Sequence, residues 1–299
     1  VVGELVNAWS ELGSTLDEQP SAELAMKAGL LAGWNVRKVP MWATLPPVKG
    51  ISRQVEVTDR VAVVRDNPRT PDLTDYLSIV SHRYQVTQNE AYAEILDQLA
   101  EESGSRFAYA GETDGGRCAF LTMRLPGHMH GGVEVYVTAL NDHGGYKPFQ
   151  LLATPVHVDS GAVLVVYEIG RVRHSPSGIV SAFDVARSAL DRAFTELDSF
   201  QEKTDRLLDT PMTQPRFEQI LERYFDAPLG APQTTRTRAR GRRDEQVDLF
   251  DGDTAWDAFY AMCDWYDHHS PIRGDTARAY KAVFDPGFKI RALEVLSDV

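Results

Sequence analysis

Between Arg106 and Val166 the hydrophobic period changes from 3.6 residues to 2, and this change limits the fold more than any other feature of the chain. Phe107–Glu112 and Arg117–Arg124 flank Thr113-Asp-Gly-Gly116, a hairpin composition, because glycine reaches positive φ without steric cost. Val133–Leu140 and Phe149–Val158 flank Asn141-Asp-His-Gly-Gly-Tyr146 in the same way, and Ala162–Tyr167 suits a fifth strand. The expectation is an antiparallel meander with glycine-rich tips. Helices are predicted on both sides of it. Gln88–Ala100 carries an apolar stripe of Ala91, Tyr92, Ile95, Leu96 and Leu99. Ser175-Pro176 opens the longest helix, since proline is tolerated in a first turn and no breaker follows for about thirty residues. Along it Phe183, Ala186, Leu190, Ala193, Leu197, Phe200, Thr204 and Leu207 form a heptad seam, suited to packing within its own fold or to a helix-helix contact between subunits.

The remaining segments are shorter. Ser21–Gly29 predicts a helix with Ser21 as cap, and Asn35–Val39 and Val61–Arg65 predict strands separated by a loop holding Pro46-Pro47. A helix near Arg216–Phe225 precedes Ala227–Arg243, which lacks apolar periodicity, carries five arginines in its last eight residues and is expected to be a mobile linker. Acidic Asp244–Asp253, an aromatic helix Trp256–His268 and a final helix near Lys289–Leu296 follow. The fold class expected is α+β: a central antiparallel sheet, or meander, covered by helices, with a helical C-terminal region. The expected division is a core domain over 1–226, an arginine-rich linker over 227–244 and the helical region over 245–299.

Composition narrows the function classes. A formal net charge of −12 excludes a wholesale basic surface, so any nucleic-acid site must be local. Cys118 and Cys263 lie far apart without zinc-type spacing and are expected to be reduced, partly buried thiols. No segment approaches 18 consecutive apolar residues and the first residues show no leader pattern, so a cytoplasmic protein without a membrane partner is expected.

Two polar clusters carry the metal chemistry that a chain like this could hold. Asp264 and His268, at i and i+4, share a helix face beside Asp267 and His269, but two ligands on one helix are not a site. His128 and His130 would share a strand face, with Asp142, His143 and His157 as further donors. The simpler reading of both clusters is solvated or capping polar groups. Ser160 lacks a G-x-S-x-G context, and no P-loop or G-x-G-x-x-G follows a strand. No cofactor is expected, and a metal-dependent hydrolase or nuclease is the third reading.

Residues spread over almost the whole chain resemble the phage and plasmid proteins grouped as domain-of-unknown-function family 932. They are Ala8-Trp-Ser-Glu-Leu-Gly13, Ser21–Leu30 with Trp34-Asn-Val-Arg37, Arg83-Tyr84 through Gln88-Asn89, Leu140-Asn-Asp-His-Gly-Gly145, Ala153-Thr-Pro-Val156, Trp256–His268 and Gly287–Leu296. Ser10 stands where the family has histidine, and Asp159-Ser-Gly-Ala162 replaces its cysteine-glutamine-asparagine segment. The resemblance implies a divergent member of mobile-element origin and supplies no mechanism.

Function is sought in the basic residues. Arg106, Arg117, Arg124, Lys147, Arg171, Arg173 and His174 fall in or beside the meander, interleaved with Phe107, Tyr109, Tyr136, Tyr146 and Tyr167. Cations that hold phosphates and rings that stack bases are what single-strand binding requires. The order helix, meander, long helix also resembles that of phage single-strand annealing recombinases, a fold-level analogy. The leading expectation is therefore a homo-oligomeric protein that binds, and anneals, single-stranded DNA on the sheet. Arg106, Arg117, Arg124, Lys147, Arg171 and Arg173 would supply the cations, and Tyr109 and Tyr136 would stack bases. The alternative is a non-enzymatic module that binds or assembles with another phage or host protein through the heptad and aromatic helices.

Overall fold

The computed structural model describes residues 7–49, 51–127, 129, 131–173, 176–225 and 232–299, with the side chains of residues 18, 176–183, 186 and 187 outside the description. The chain opens with α1 (Ala8–Leu12), β1 (Gly13–Gln19) and α2 (Ala22–Ala28), then forms β2 (Arg37–Val48), β3 (Ile51–Asp66) and β4 (Thr74–Ser81). A 3-10 turn at Asn89–Tyr92 leads into α3 (Ala93–Ser103), followed by β5 (Arg106–Thr113), β6 (Cys118–Arg124), β7 (Val133–Asp142), β8 (Phe149–His157) and β9 (Tyr167–Val172). The rest is helical: α4 (Pro176–Asp209), α5 (Gln214–Tyr224), α6 (Gln233–Leu249), α7 (Ala255–Asp264), a π-helical turn at Trp265–His269, α8 (Asp275–Phe284) and α9 (Gly287–Ser297).

Local chemistry sets several of these boundaries. The Asn7 carboxamide accepts from the Trp9 and Ser10 amides, and Thr254 with Asp257 forms a capping box at α7. Ser21 caps α2 as its sequence predicts, and Gly104, at φ +69°, takes the left-handed turn that stops α3.

The meander is real and larger than its sequence pattern shows. Six antiparallel strands run in the order β1-β5-β6-β7-β8-β9, and a separate three-stranded sheet runs β2-β3-β4. The added edge strand β1 lies against β5 because glycines face each other there: a Cβ on Gly13 would stand 2.4 Å from the Ala110 carbonyl oxygen. The fifth strand of the meander is Tyr167–Val172 rather than Ala162–Tyr167. Residues 162–165 are instead a buried extended segment, with Val163 in one core and Leu164 in another.

Both faces of the six-stranded sheet are packed. Ala119, Leu121, Met123, Val137 and Leu151 share a core with α2, α3, the first half of α4 and the inner face of the smaller sheet. On the other face Tyr109, Phe120, Tyr136, Leu140 and Leu152 pack with Trp9 and Leu12 of α1 and with Ala279, Ala282 and Val283 of α8. A third core joins the second half of α4 to α5, α7 and α9.

The described part of the heptad seam is consumed inside the fold. Leu190, Ala193 and Leu197 belong to the sheet core, whereas Phe200 and Leu207 belong to the C-terminal core, each large side chain contributing about 1.5–3 kcal/mol. It is therefore not a surface for another subunit. Phe183 and Ala186 lie outside the described side chains, as do His128, His130, His174 and residues 226–231 outside the described residues.

Two segments differ from expectation in kind. Pro46-Pro47 does not interrupt the strands around it: β2 and β3 form one long hairpin, because a proline on an edge strand costs no ladder hydrogen bond that a neighbour requires. Much of the expected linker is helix. α6 covers Gln233–Leu249 and runs through the expected linker end at residue 244.

Candidate functional site

The structure disperses the residues expected to bind DNA. Arg106 and Arg124 are cross-strand neighbours on β5 and β6, both exposed, and line an open cleft with Gly104, Pro126, Gly127 and Glu134. Arg124 lies 3.7 Å from Glu134. Arg117 sits at the opposite end of β6, about 23 Å away along the strand, where its Nε donates to the Leu77 carbonyl at 2.8 Å. Lys147, in the β7–β8 turn, holds its ammonium 4.9 Å from the Phe284 ring. Arg171 is bonded to Glu168 at 2.6 and 2.8 Å on the β9 edge, and Arg173 is exposed just beyond it.

The two stacking tyrosines are inside the protein. Tyr109 and Tyr136 are 6% and 2% exposed, with ring centroids 5.7 Å apart. The Tyr109 hydroxyl accepts from Asn7 at 3.0 Å, and the Tyr136 hydroxyl donates to Glu134 at 2.7 Å. Burial pushes the Tyr136 phenol well above its usual range. Rings enclosed beneath α1 and α8 offer no face to a base, so the sheet is not the stacking platform that its sequence suggests.

The described histidines of the second cluster do not come together either. His143 follows the C-terminal end of β7 and His157 ends β8 opposite Val133, so the length of β7, about 30 Å, separates them. His143 is buried, with Nε2 3.0 Å from the Asn89 carboxamide oxygen and its ring beside Trp34. Among the described residues no group of three or more His, Cys, Asp or Glu side chains is arranged to hold a metal. The thiols are unsuited to nucleophilic work, since burial pushes Cys118 up to about 12 and Cys263 higher still.

Instead, the motif residues Gln88, Asn89, Asn141, Asp142 and His143 tie loops together. The Gln88 side chain pairs with both backbone groups of Val36, and Asn89 donates to the Leu31 carbonyl and accepts from Asn141 at 2.8 Å. Asp142 accepts from the amides of Gly144, Tyr146 and Lys147, which shapes the β7–β8 turn. Arg65, almost fully buried, clamps the two sheets by pairing with Asp75 of β4 and Glu112 of β5, its guanidinium 3.9 Å over the Trp34 ring.

The aromatic C-terminal helix ends in the π-helical turn, and widening to i+5 brings His269 as well as His268 to Asp264, at 3.5 and 3.9 Å. Asp267 points inward. Its carboxylate accepts from the Val163 amide at 2.8 Å and lies 2.6 Å from the fully buried Lys289 ammonium. Burial pushes the Asp267 carboxyl up, with Lys289 opposing. The pair fastens α9 and the π turn to the extended segment after β8.

Two surfaces remain that sequence reading missed. The first is α6, on which Arg236, Arg238, Arg240 and Arg242 are exposed and Arg243 lies 3.5 Å from Glu222. The arginine run itself was the available signal; its helical conformation was hidden by the lack of an apolar stripe, since Gln246 is the one buried residue on the helix. The second is the β2–β3 hairpin. β4 pairs with β3 only over Arg60–Asp66, so the hairpin projects as two strands from Met41 to Asp59.

The packing describes an α+β protein of two antiparallel sheets clasped by helices, with its family motif residues used to lock loops. The chain belongs to the family described as Domain of unknown function (DUF932), whose model matches residues 76–284 of 299. The matched region begins within β4 and leaves the projecting hairpin outside it. No curated protein and no solved structure matches the chain. Among the described residues no helix is long and apolar enough to cross a membrane.

Proposed function

We propose that the protein binds the phosphate backbone of nucleic acid through α6, acting as a binding protein rather than an enzyme. The observation that carries this reading is the set of four exposed arginines on one helix of a chain whose net charge is −12. Arg236, Arg240 and Arg243 fall at i, i+4 and i+7 on one side of the helix, and Arg238 and Arg242 at i+2 and i+6 on the roughly opposite side, so the cations are spread around the helix.

The placement opposes helix stability. The basic half is N-terminal and Asp244, Glu245 and Asp248 are C-terminal, the reverse of what the macrodipole favours, and Pro232 supplies no side-chain cap. Charge set against its local preference is what a functional constraint produces. The exposed Arg106 and Arg124 form a second, smaller basic patch. With Tyr109 and Tyr136 enclosed, binding rests on charge, so it is insensitive to sequence and dependent on salt.

Fluorescence anisotropy with a labelled single-stranded oligonucleotide and its duplex, from 50 mM salt upward, tests this. Binding is expected at low salt, weakening with a log-log slope between about −1.4, for the two arginines of one side, and about −3, for all four, on a single strand. Changing Arg236, Arg238, Arg240 and Arg242 together to alanine is expected to abolish it. No binding at 50 mM salt, or equal binding by the variant, overturns the reading. Adding the complementary strand in the same assay tests whether single strands, once bound, are annealed.

A further inference from the structure

We propose that the nucleic-acid strand runs along the Arg238 and Arg242 side of α6 and crosses onto α8 at Lys281, whose ammonium holds a further phosphate. The inference rests on the nucleic-acid reading of α6 and adds to it a side of the helix and a binding residue from another element.

The two sides of α6 lead to unlike neighbours. Arg236, Arg240 and Arg243 lead to α5, where Glu222 lies 3.5 Å from Arg243 and Glu218, four residues earlier, shares its helix face. Both acids are exposed, so a phosphate backbone following that side is repelled where it ends. Arg238 and Arg242, at i and i+4, share the other side with Glu245, three residues beyond Arg242. The Glu245 carboxylate accepts from the Trp265 indole at 2.7 Å, which fixes the place where this side meets the π turn. Both arginines are exposed, and neither guanidinium is ion-paired among the described residues. Glu245 bars a polyanion from continuing along α6, so its path turns aside at Arg242.

Lys281 stands at that turning. Its ammonium lies 3.5 Å over the ring of Tyr266, the residue after Trp265, and the ring is held by stacking on Phe288 at 4.6 Å and by a hydroxyl bond to the Asp285 carbonyl at 2.8 Å. The ring positions the cation without neutralising it. Lys281 is half-buried, and its ammonium makes no hydrogen bond or ion pair among the described residues. Asp267, the buried acid nearby, is taken by Lys289 at 2.6 Å. Burial lowers the Lys281 pKa, Asp285 and Asp267 oppose this, and the approach of Arg242 lowers it further. Two cations from different helices are thus held within electrostatic reach of each other with no carboxylate bridging them. Folding gains nothing from that repulsion, whereas a phosphate between them converts it into two attractions.

Anisotropy of a labelled single-stranded oligonucleotide with the full chain, with circular dichroism as the check on folding, tests the path. Three cations along it predict a log-log salt slope of about −2. Lys281→Gln is expected to weaken binding about fivefold at low salt and to bring the slope to about −1.4, whereas Lys281→Arg keeps both. Arg238→Ala with Arg242→Ala is expected to weaken binding more than Arg236→Ala with Arg240→Ala. A Lys281→Gln protein that keeps the wild-type slope, whatever its affinity, overturns Lys281 as a phosphate ligand. Equal losses from the two arginine pairs, or a larger loss from Arg236 and Arg240, overturn the choice of side. Those failures leave intact a wild-type binding that the four-arginine variant abolishes. Failure of the α6 reading shows differently, as a wild type that does not bind or a four-arginine variant that binds equally, and it overturns the path as well.

Discussion

His157 and Arg65 show how single side chains are committed by packing that no local pattern announces. Arg65 is the charged end of an apolar strand run, Val61-Ala-Val-Val-Arg65, where a solvated side chain is the ordinary outcome, yet it is buried because Asp75 and Glu112 converge on it from two sheets. Gly116, at φ +83°, leaves room for it, since a Cβ there would stand 2.6 Å from the guanidinium carbon. His157 is enclosed too, its ring 4.2 Å from that of Tyr260, with Nδ1 lacking a hydrogen-bond partner among the described residues. Burial lowers its pKa below the usual 6.5. The unfolded chain then binds a proton that the folded chain refuses, so this contribution to stability is complete above about pH 6.5 and is lost as pH falls. Urea midpoints at pH 7.5 and 5.5 should therefore drop more for the wild type than for His157→Phe; equal drops would show that His157 is not the group responsible.

Among the elements, α6 and the hairpin diverge most from their sequence patterns, for opposite reasons. α6 has no apolar stripe and a Gly at 241, so propensity and periodicity both argue against a helix. Its C-terminal half is nevertheless held, because Arg243 meets Glu222 and Glu245 accepts from the Trp265 indole at 2.7 Å. If phosphates neutralise its arginines, backbone amides of residues 236–243 should exchange hydrogen more slowly in the presence of an oligonucleotide. Unchanged exchange at saturating oligonucleotide would remove α6 from the interface. The hairpin is the reverse case. Its alternation is plain in Ile51-Ser-Arg-Gln-Val-Glu-Val-Thr58, but prolines on the facing strand disguise the pairing. The β5–β8 strands were legible because central strands of alternating or continuous apolar residues between glycine turns have few other solutions.

Across the whole molecule α4 is the member that makes one body of the chain. Its first described half packs on the sheet and its second half on α5, α7 and α9, while Ala279, Ala282 and Val283 of α8 return to cover Tyr109 and Tyr136. Residues after 245 thus complete cores built by residues before 226. One cooperative unfolding transition is expected, with near-ultraviolet and far-ultraviolet signals superimposing in urea. Two separated transitions would show that the C-terminal region unfolds independently.

By itself the sequence determined the α+β class, the meander with its glycine tips, the long helix with its seam and the family, because each depends on local period, turn chemistry or motif residues. Only the tertiary structure decided which side of each element is spent inside. It enclosed Tyr109, Tyr136, His143 and Arg65, and it left Arg236–Arg242 and the face from Leu45 to Val55 outside. Alternation states that a strand has two unlike faces. What covers each face is set by elements distant in sequence, and only their packing reveals which side remains for a partner.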